Sequence, residues 1–402
     1  MCVAQRCKVV RTGIQYTNAK EGAAHYRAFF FSLSKKYHML DVLTSLRFFA
    51  SAAIVYTHGQ DNVFPAFPGA PHVFALGVSF FFILSGFVLS YAYETKFSIR
   101  NFYASRIAKL YPVHLITGLL WILLLLDTSV FQYTYGIRDM EYFLLLQAWI
   151  PVVGTVFYLN GASWCLSCEM FFYALFPLIK KKNYALPVCI ISLLFTCIML
   201  YYFDAKYPPV RPGMVFPPEG QFFTLHAALQ FPLVRLPEFC CGILAFKIYQ
   251  RVHIKSSTLL EILAVLLVFA FSYNAEAIRI FFDNVGYTHI GIWINQCGGM
   301  LFFAFAILIF SYQAGLISNL LKNKILVYLG NISYATYMIH VVIINFFIKH
   351  NMGNYSLPTA VACILVIYVS SVLLYTCVEV PAKKALKSLL QHKSTKSTVA
   401  QK

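Results

Sequence analysis

Charge is scarce in this chain. Asp, Glu, Lys and Arg make up 12% of its 402 residues, about half the share of an ordinary soluble protein. So few charges cannot cover a soluble domain of this size. With 59% hydrophobic and 17% aromatic residues and a mean hydropathy of +0.68, the covering has to be lipid, and the composition predicts an all-α, polytopic membrane protein. Acids are scarcer still, 15 against 32 Lys and Arg, for a net charge of +17. In a soluble protein that excess would point to nucleic acid. Here it follows from topology, and a nucleic-acid partner is set aside. A disulfide framework is lacking too: the cysteines number eleven, and Cys189, Cys240, Cys241 and Cys363 lie in apolar stretches as small hydrophobes. Cys165 and Cys168 form a C-x-x-C, but a structural zinc site needs further ligands nearby, so no metal is expected.

Crossing hydrocarbon takes roughly 20 apolar residues. On that measure about ten spans are predicted, near 42–58, 73–93, 110–127, 162–179, 184–203, 228–248, 257–275, 290–312, 325–348 and 358–379. The stretch 141–153 is short and broken by Pro151 and Gly154, and reads as a re-entrant or interfacial segment. Residues 1–40 read as a basic cytoplasmic arm without a signal-peptide pattern, 41–387 as the transmembrane domain, and 388–402 as a disordered Lys/Ser/Thr-rich tail. The outer loops hold only Arg138, Lys206, Arg211, Arg279 and Lys349, while the other face collects most of the basic residues. By the positive-inside rule both termini are therefore cytoplasmic. The basic inner face suits anionic lipid or an anionic cytosolic substrate.

Ionisable residues inside the apolar stretches carry the functional signal. Arg47 and His58 share the first span. Eleven helical residues turn through about 1100°, so the two project from one face, about 16 Å apart along the axis. A cation at the centre of a span costs roughly 2.5–3.5 kcal/mol and marks a functional site by default. Glu169, five residues after Trp164 in an apolar span, is a lone carboxylate that must be neutralised, paired or hydrogen-bonded; His58, Arg47 and Arg235 are the candidate partners. Arg235 and Glu238, three apart, read as an internal ion pair. Gly77 and Gly86 read as points of close helix packing, the proline- and aromatic-rich loop 204–227 as a rigid outer loop or an acceptor platform, and Asn354-Tyr355-Ser356 as an outer-side glycosylation sequon.

Seven segments in register, LTSLRFFASAAIVYTH (43–58), GVSFFFILSGFVLS (77–90), FYASRIAKLYPVH (102–114), SWCLSCEMFFYALFP (163–177), RLPEFCCGILAF (235–246), LGNISYATYMIH (329–340) and VEVPAKKALK (378–387), closely resemble the acyltransferase type 3 family, multi-pass membrane proteins that O-acylate sugars and other cell-envelope acceptors. The resemblance covers about 41–387. It implies that Arg47 and His58 are the family's basic-residue-and-histidine motif, Arg106 and Lys109 its basic pair, and Ser163, Trp164 and Glu169 part of its Ser-Trp-x-Leu-Ser-x-Glu signature. Tyr337 and His340 match its Tyr-x-x-His element. Met170 replaces the family's frequent second Glu.

The expected reaction is transfer of an acyl group, acetyl by preference, from cytosolic acetyl-CoA or another acyl-CoA to a hydroxyl of an extracytoplasmic carbohydrate, at the cell's inner membrane. Deprotonating the hydroxyl needs a base, and an imidazole with an ordinary pKa of about 6.5 suits that work near neutrality. His58 is then the general base or a transient acyl carrier, with Glu169 holding its tautomer. Arg47, Arg106 and Lys109 bind the donor's phosphates. Ser163, Trp164, Tyr337 and His340 bind acceptor, His340 having a core-packing role as its alternative. The competing class is a proton- or ion-coupled transporter of a small polar solute using the same buried charges. Many transporters are built from paired repeats, and none relates 42–203 to 228–379, which favours the enzyme.

Overall fold

Thirteen helices of more than one turn make up most of the described residues. The computed structural model describes residues 40–60, 62–65, 76–95, 97–125, 136–206, 229–254, 258–350, 356–386 and 388–389. Most of the N-terminal arm, the tail, most of loop 204–227 and the sequon asparagine lie outside the described residues. The helices are α1 (Asp41–Gly59), α2 (Gly77–Ala92), α3 (Ile99–Leu125), α4 (Ile137–Phe143), α5 (Trp164–Lys182), α6 (Ala185–Lys206), α7 (Pro232–Arg251), α8 (Thr258–Asn284), α9 (Thr288–Cys297), α10 (Met300–Ser311), α11 (Leu316–Leu321), α12 (Lys324–Lys349) and α13 (Leu357–Leu374), the last running on through a π-helical turn, Tyr375–Glu379. Among the described residues the β-type contact is one isolated bridge, Gln60 to Phe64.

Seven stretches are long and apolar enough to cross a membrane: Ile99–Leu125, Gly161–Lys182, Ala185–Ala205, Thr258–Asn284, Thr288–Ser311, Lys324–Lys349 and Leu357–Leu386. They account for seven of the ten spans expected from the sequence. The predicted spans 42–58, 73–93 and 228–248 are helical, as α1, α2 and α7, but fall short on length or apolarity. The reason is their position. α1 packs along α12, and α2 along α7, so other helices cover them, whereas α8 and α13 leave long apolar faces exposed. α2 is apolar throughout but only 16 residues long, while α7, under such cover, keeps both Arg235 and Glu238 buried. The 141–153 stretch is no spanning helix: it breaks into α4, a 3-10 turn at Gln147–Trp149 and one turn of helix at Val153–Val156.

Two glycines set the α2–α7 contact. A Cβ on Gly86 would lie 2.1 Å from the Phe239 carbonyl oxygen, and one on Gly242 1.9 Å from that of Ile83. Backbone on backbone cannot yield to a side-chain rotation. Gly242→Ala is therefore expected to cost about 1–3 kcal/mol or more, read as a fall in melting temperature of the purified protein in detergent. Gly154→Ala, where the nearest atom to an added Cβ is 3.6 Å away on the Arg138 side chain, should leave it unchanged.

Candidate active site

A cavity opens between α1, α2, α3, α5 and α12. Its polar wall is Arg47 from α1, Arg106 and Lys109 from α3, Glu169 and Tyr173 from α5, and Tyr334 and Tyr337 from α12. Its opposite wall is apolar, chiefly Val78, Phe81, Phe82, Leu84, Val88 and Leu89 of α2. The helical repeat explains the two faces. Arg106 and Lys109 are three apart, as are Tyr334 and Tyr337, while Glu169 and Tyr173 are four apart, so each pair falls on one side of its helix.

Positive charge dominates the polar wall. Arg47 makes no hydrogen bond or ion pair with any described residue; the charges acting on it are the carboxylates of Glu379, foremost, and Glu169. Arg106 lies over the Tyr173 ring at 5.8 Å, with Nε donating to Ser105 Oγ at 3.4 Å. Glu169 accepts a hydrogen bond from the Tyr173 hydroxyl at 2.8 Å. It forms no ion pair with His58, Arg47 or Arg235, so the three partners open to it on sequence are all replaced by a tyrosine one turn on. Arg235 instead donates to Glu238 at 3.3 Å and to the Cys297 thiol at 2.5 Å, and Ser79 donates to the same Glu238 oxygen. This buried ion pair is internal to the fold. Stripping one partner would strand the other charge, at roughly 3–5 kcal/mol.

His58 stands apart from the cavity lining. It sits at the end of α1 with its ring 4.9 Å from that of His340, at 75°. His340 in turn is 5.6 Å from Tyr337, which does line the cavity. His58 is thus linked to the cavity by ring contacts through His340 and Tyr337. The tautomers follow from the backbone. His58 Nδ1 lies 2.9 Å from the Ile54 carbonyl and His340 Nδ1 2.6 Å from that of Tyr337. A carbonyl only accepts, so both Nδ1 atoms donate and both Nε2 atoms carry a lone pair. The two differ in access: His58 is exposed, and His340 is fully buried with Nε2 unpartnered.

Ser163 and Trp164 do not line the cavity. Ser163 precedes α5 and is buried, its hydroxyl donating to the Asn160 carbonyl at 2.7 Å and accepting from Gln147 at 3.2 Å. Trp164 backs the apolar wall, edge-on to Phe82 at 5.9 Å, with the Arg235 guanidinium 5.3 Å from its ring. Sequence reading missed Tyr173, Tyr334 and the aromatic wall of α2. The signal for the tyrosines was there, since each lies one turn from a residue already singled out. For α2 it was not, because an apolar helix facing a cavity reads like one facing a core. Among the described residues no group of His, Cys, Asp and Glu is gathered that could hold a metal ion. The buried thiols of Cys165 and Cys168 donate to the Ala162 and Gln230 carbonyls, each at 3.2 Å.

An all-helical membrane protein with a cationic, amphipathic chamber at its centre is the class that fold and site define. The family model for an acyltransferase domain matches residues 41–376, and the chain belongs to the acyltransferase type 3 family. It is 28% identical over 388 residues to Acyltransferase MdmB of Streptomyces mycarofaciens, covering 86% of this chain and 92% of that protein. No solved structure matches the chain. The protein is an acyltransferase, and the transporter reading is set aside.

Proposed function

We propose that this enzyme moves an acyl group, acetyl by preference, from cytosolic acyl-CoA to a hydroxyl of a sugar or polysaccharide at the outer face of the cell's inner membrane, with both termini cytoplasmic and α1, α2 and α7 crossing alongside the seven apolar spans. The observation that carries the reading is the two-sided cavity. Arg47, Arg106 and Lys109 suit the donor's phosphates, and the apolar α2 wall suits its acyl end. At the other end stand two imidazoles, His58 exposed and His340 buried behind Tyr337. In the reaction the acceptor oxygen attacks the thioester carbonyl while its proton passes to His58 Nε2. The tetrahedral intermediate then expels the CoA thiolate, which takes that proton from the imidazolium. Glu169 acts through the cavity field and its hydrogen bond to Tyr173. Tyr337 and His340 border the acceptor, and Ser163 and Trp164 shape the wall behind it.

The test is purified protein in sealed liposomes given radiolabelled acetyl-CoA outside and candidate polysaccharides inside, in both orientations. Free thiol released in step with label on the polysaccharide is the expected result. Label that enters the lumen still attached to coenzyme A, with no thiol released, would overturn the reaction assigned here.

A further inference from the structure

The cationic end of the cavity is bordered by an ion pair that the reaction above does not use. Over Tyr375–Glu379 the last helix leaves α geometry for one π turn, a distortion that re-aims side chains and recurs at functional sites. It turns Glu379 inward. The carboxylate is 2% exposed and accepts from Lys383 Nζ at 2.5 Å, while Lys383, one turn on, is 42% exposed. The second oxygen, Oε2, is buried without a partner. The turn packs against α3, the helix that carries Arg106 and Lys109, and against α12, which brings the charges of Glu379 and Lys383 to bear on Arg47 and Lys109. Three cations inside the cavity are therefore joined by a fourth at its rim, against the two carboxylates Glu169 and Glu379.

That arrangement suits a polyanion whose charges are spread along its length. A donor that enters acyl end first, toward Tyr337, trails its nucleotide at the rim. Lys383 is the cation that is both open to solvent there and held toward the chamber. An ammonium binds phosphate as a point charge, and a phosphate monoester brings about −1.5 to −2 of charge near neutrality. We infer that Lys383, held by Glu379 on the π turn, is a specificity residue that binds the peripheral phosphate monoester of the acyl donor, the group that separates coenzyme A from its dephospho form. This inference rests on the donor reading of the cavity.

The experiment is calorimetric titration of the full-length protein in detergent with coenzyme A and with dephospho-coenzyme A. The wild type is expected to prefer coenzyme A by roughly fivefold, the upper range of a partly exposed ion pair. Lys383→Gln should bring the two dissociation constants together, and so should Glu379→Gln combined with Lys383→Gln, which leaves no buried carboxylate unpaired should the single variant be unstable. Lys383→Arg, and Lys384→Gln on the exposed side of the same helix, should keep the preference. A preference that survives loss of Lys383, or a wild type that binds both ligands equally, overturns the assignment. Binding of neither ligand to the wild type overturns it together with the donor reading beneath it.

Discussion

His58→Ala is expected to lower acyl transfer by about 10²–10⁴-fold, the range for loss of a general base, while the protein still folds and still binds donor. The geometry separates the two effects. The polar contact of His58 is Nδ1 to the Ile54 carbonyl of its own helix, at 2.9 Å, and that contact leaves no buried group stranded when it goes. The side chain is exposed and outside the cavity lining, so the phosphate-binding wall is untouched. Turnover with acetyl-CoA and acceptor should collapse, with the coenzyme A dissociation constant and the melting temperature near those of wild type. His340→Ala provides the contrast. It empties a fully buried position, which should lower the melting temperature as well as the rate. Full activity in His58→Ala would remove this residue from the mechanism.

Replacing Arg106 and Lys109 together by Ala is expected to weaken coenzyme A binding by at least roughly 100-fold. Contacts from charged donors contribute about 1.5–3 kcal/mol each, and the sum is trimmed because the two sites are neighbours and couple. Neither side chain holds a buried carboxylate in place: Arg106 has a 3.4 Å contact to Ser105 and the face of Tyr173. The loss should therefore appear in the donor dissociation constant and not in folding or in the acceptor KM. An unchanged coenzyme A affinity would reduce both residues to anchors at the membrane surface.

The residues that gather at the chamber were largely legible in the chain. An arginine inside a span and a lone glutamate are costly in lipid, and cost is visible in a sequence, whereas the basic pair was marked by its match to the family motif. Their partners were not. Glu169 had three plausible counter-charges on sequence and takes none of them, because Tyr173, one turn along the same helix, reaches it first. Trp164 and Ser163 sit in the family signature yet serve the wall and the start of α5. Glu379 was quoted within a motif without a role, since a π turn has no composition that marks it.

Composition determined that this is an all-helical membrane protein, because so little charge leaves lipid as the only available covering and lipid admits a chain whose backbone bonds are satisfied within each helix. Spacing determined that Arg47 and His58 share a helix face. Only the tertiary structure decided that α1, α2 and α7 are enclosed by other helices, that α2 turns an aromatic wall to a cavity, and that His58 meets that cavity through His340 and Tyr337. Hydropathy records what a residue would cost in lipid, whereas what it touches depends on which other helices stand beside it.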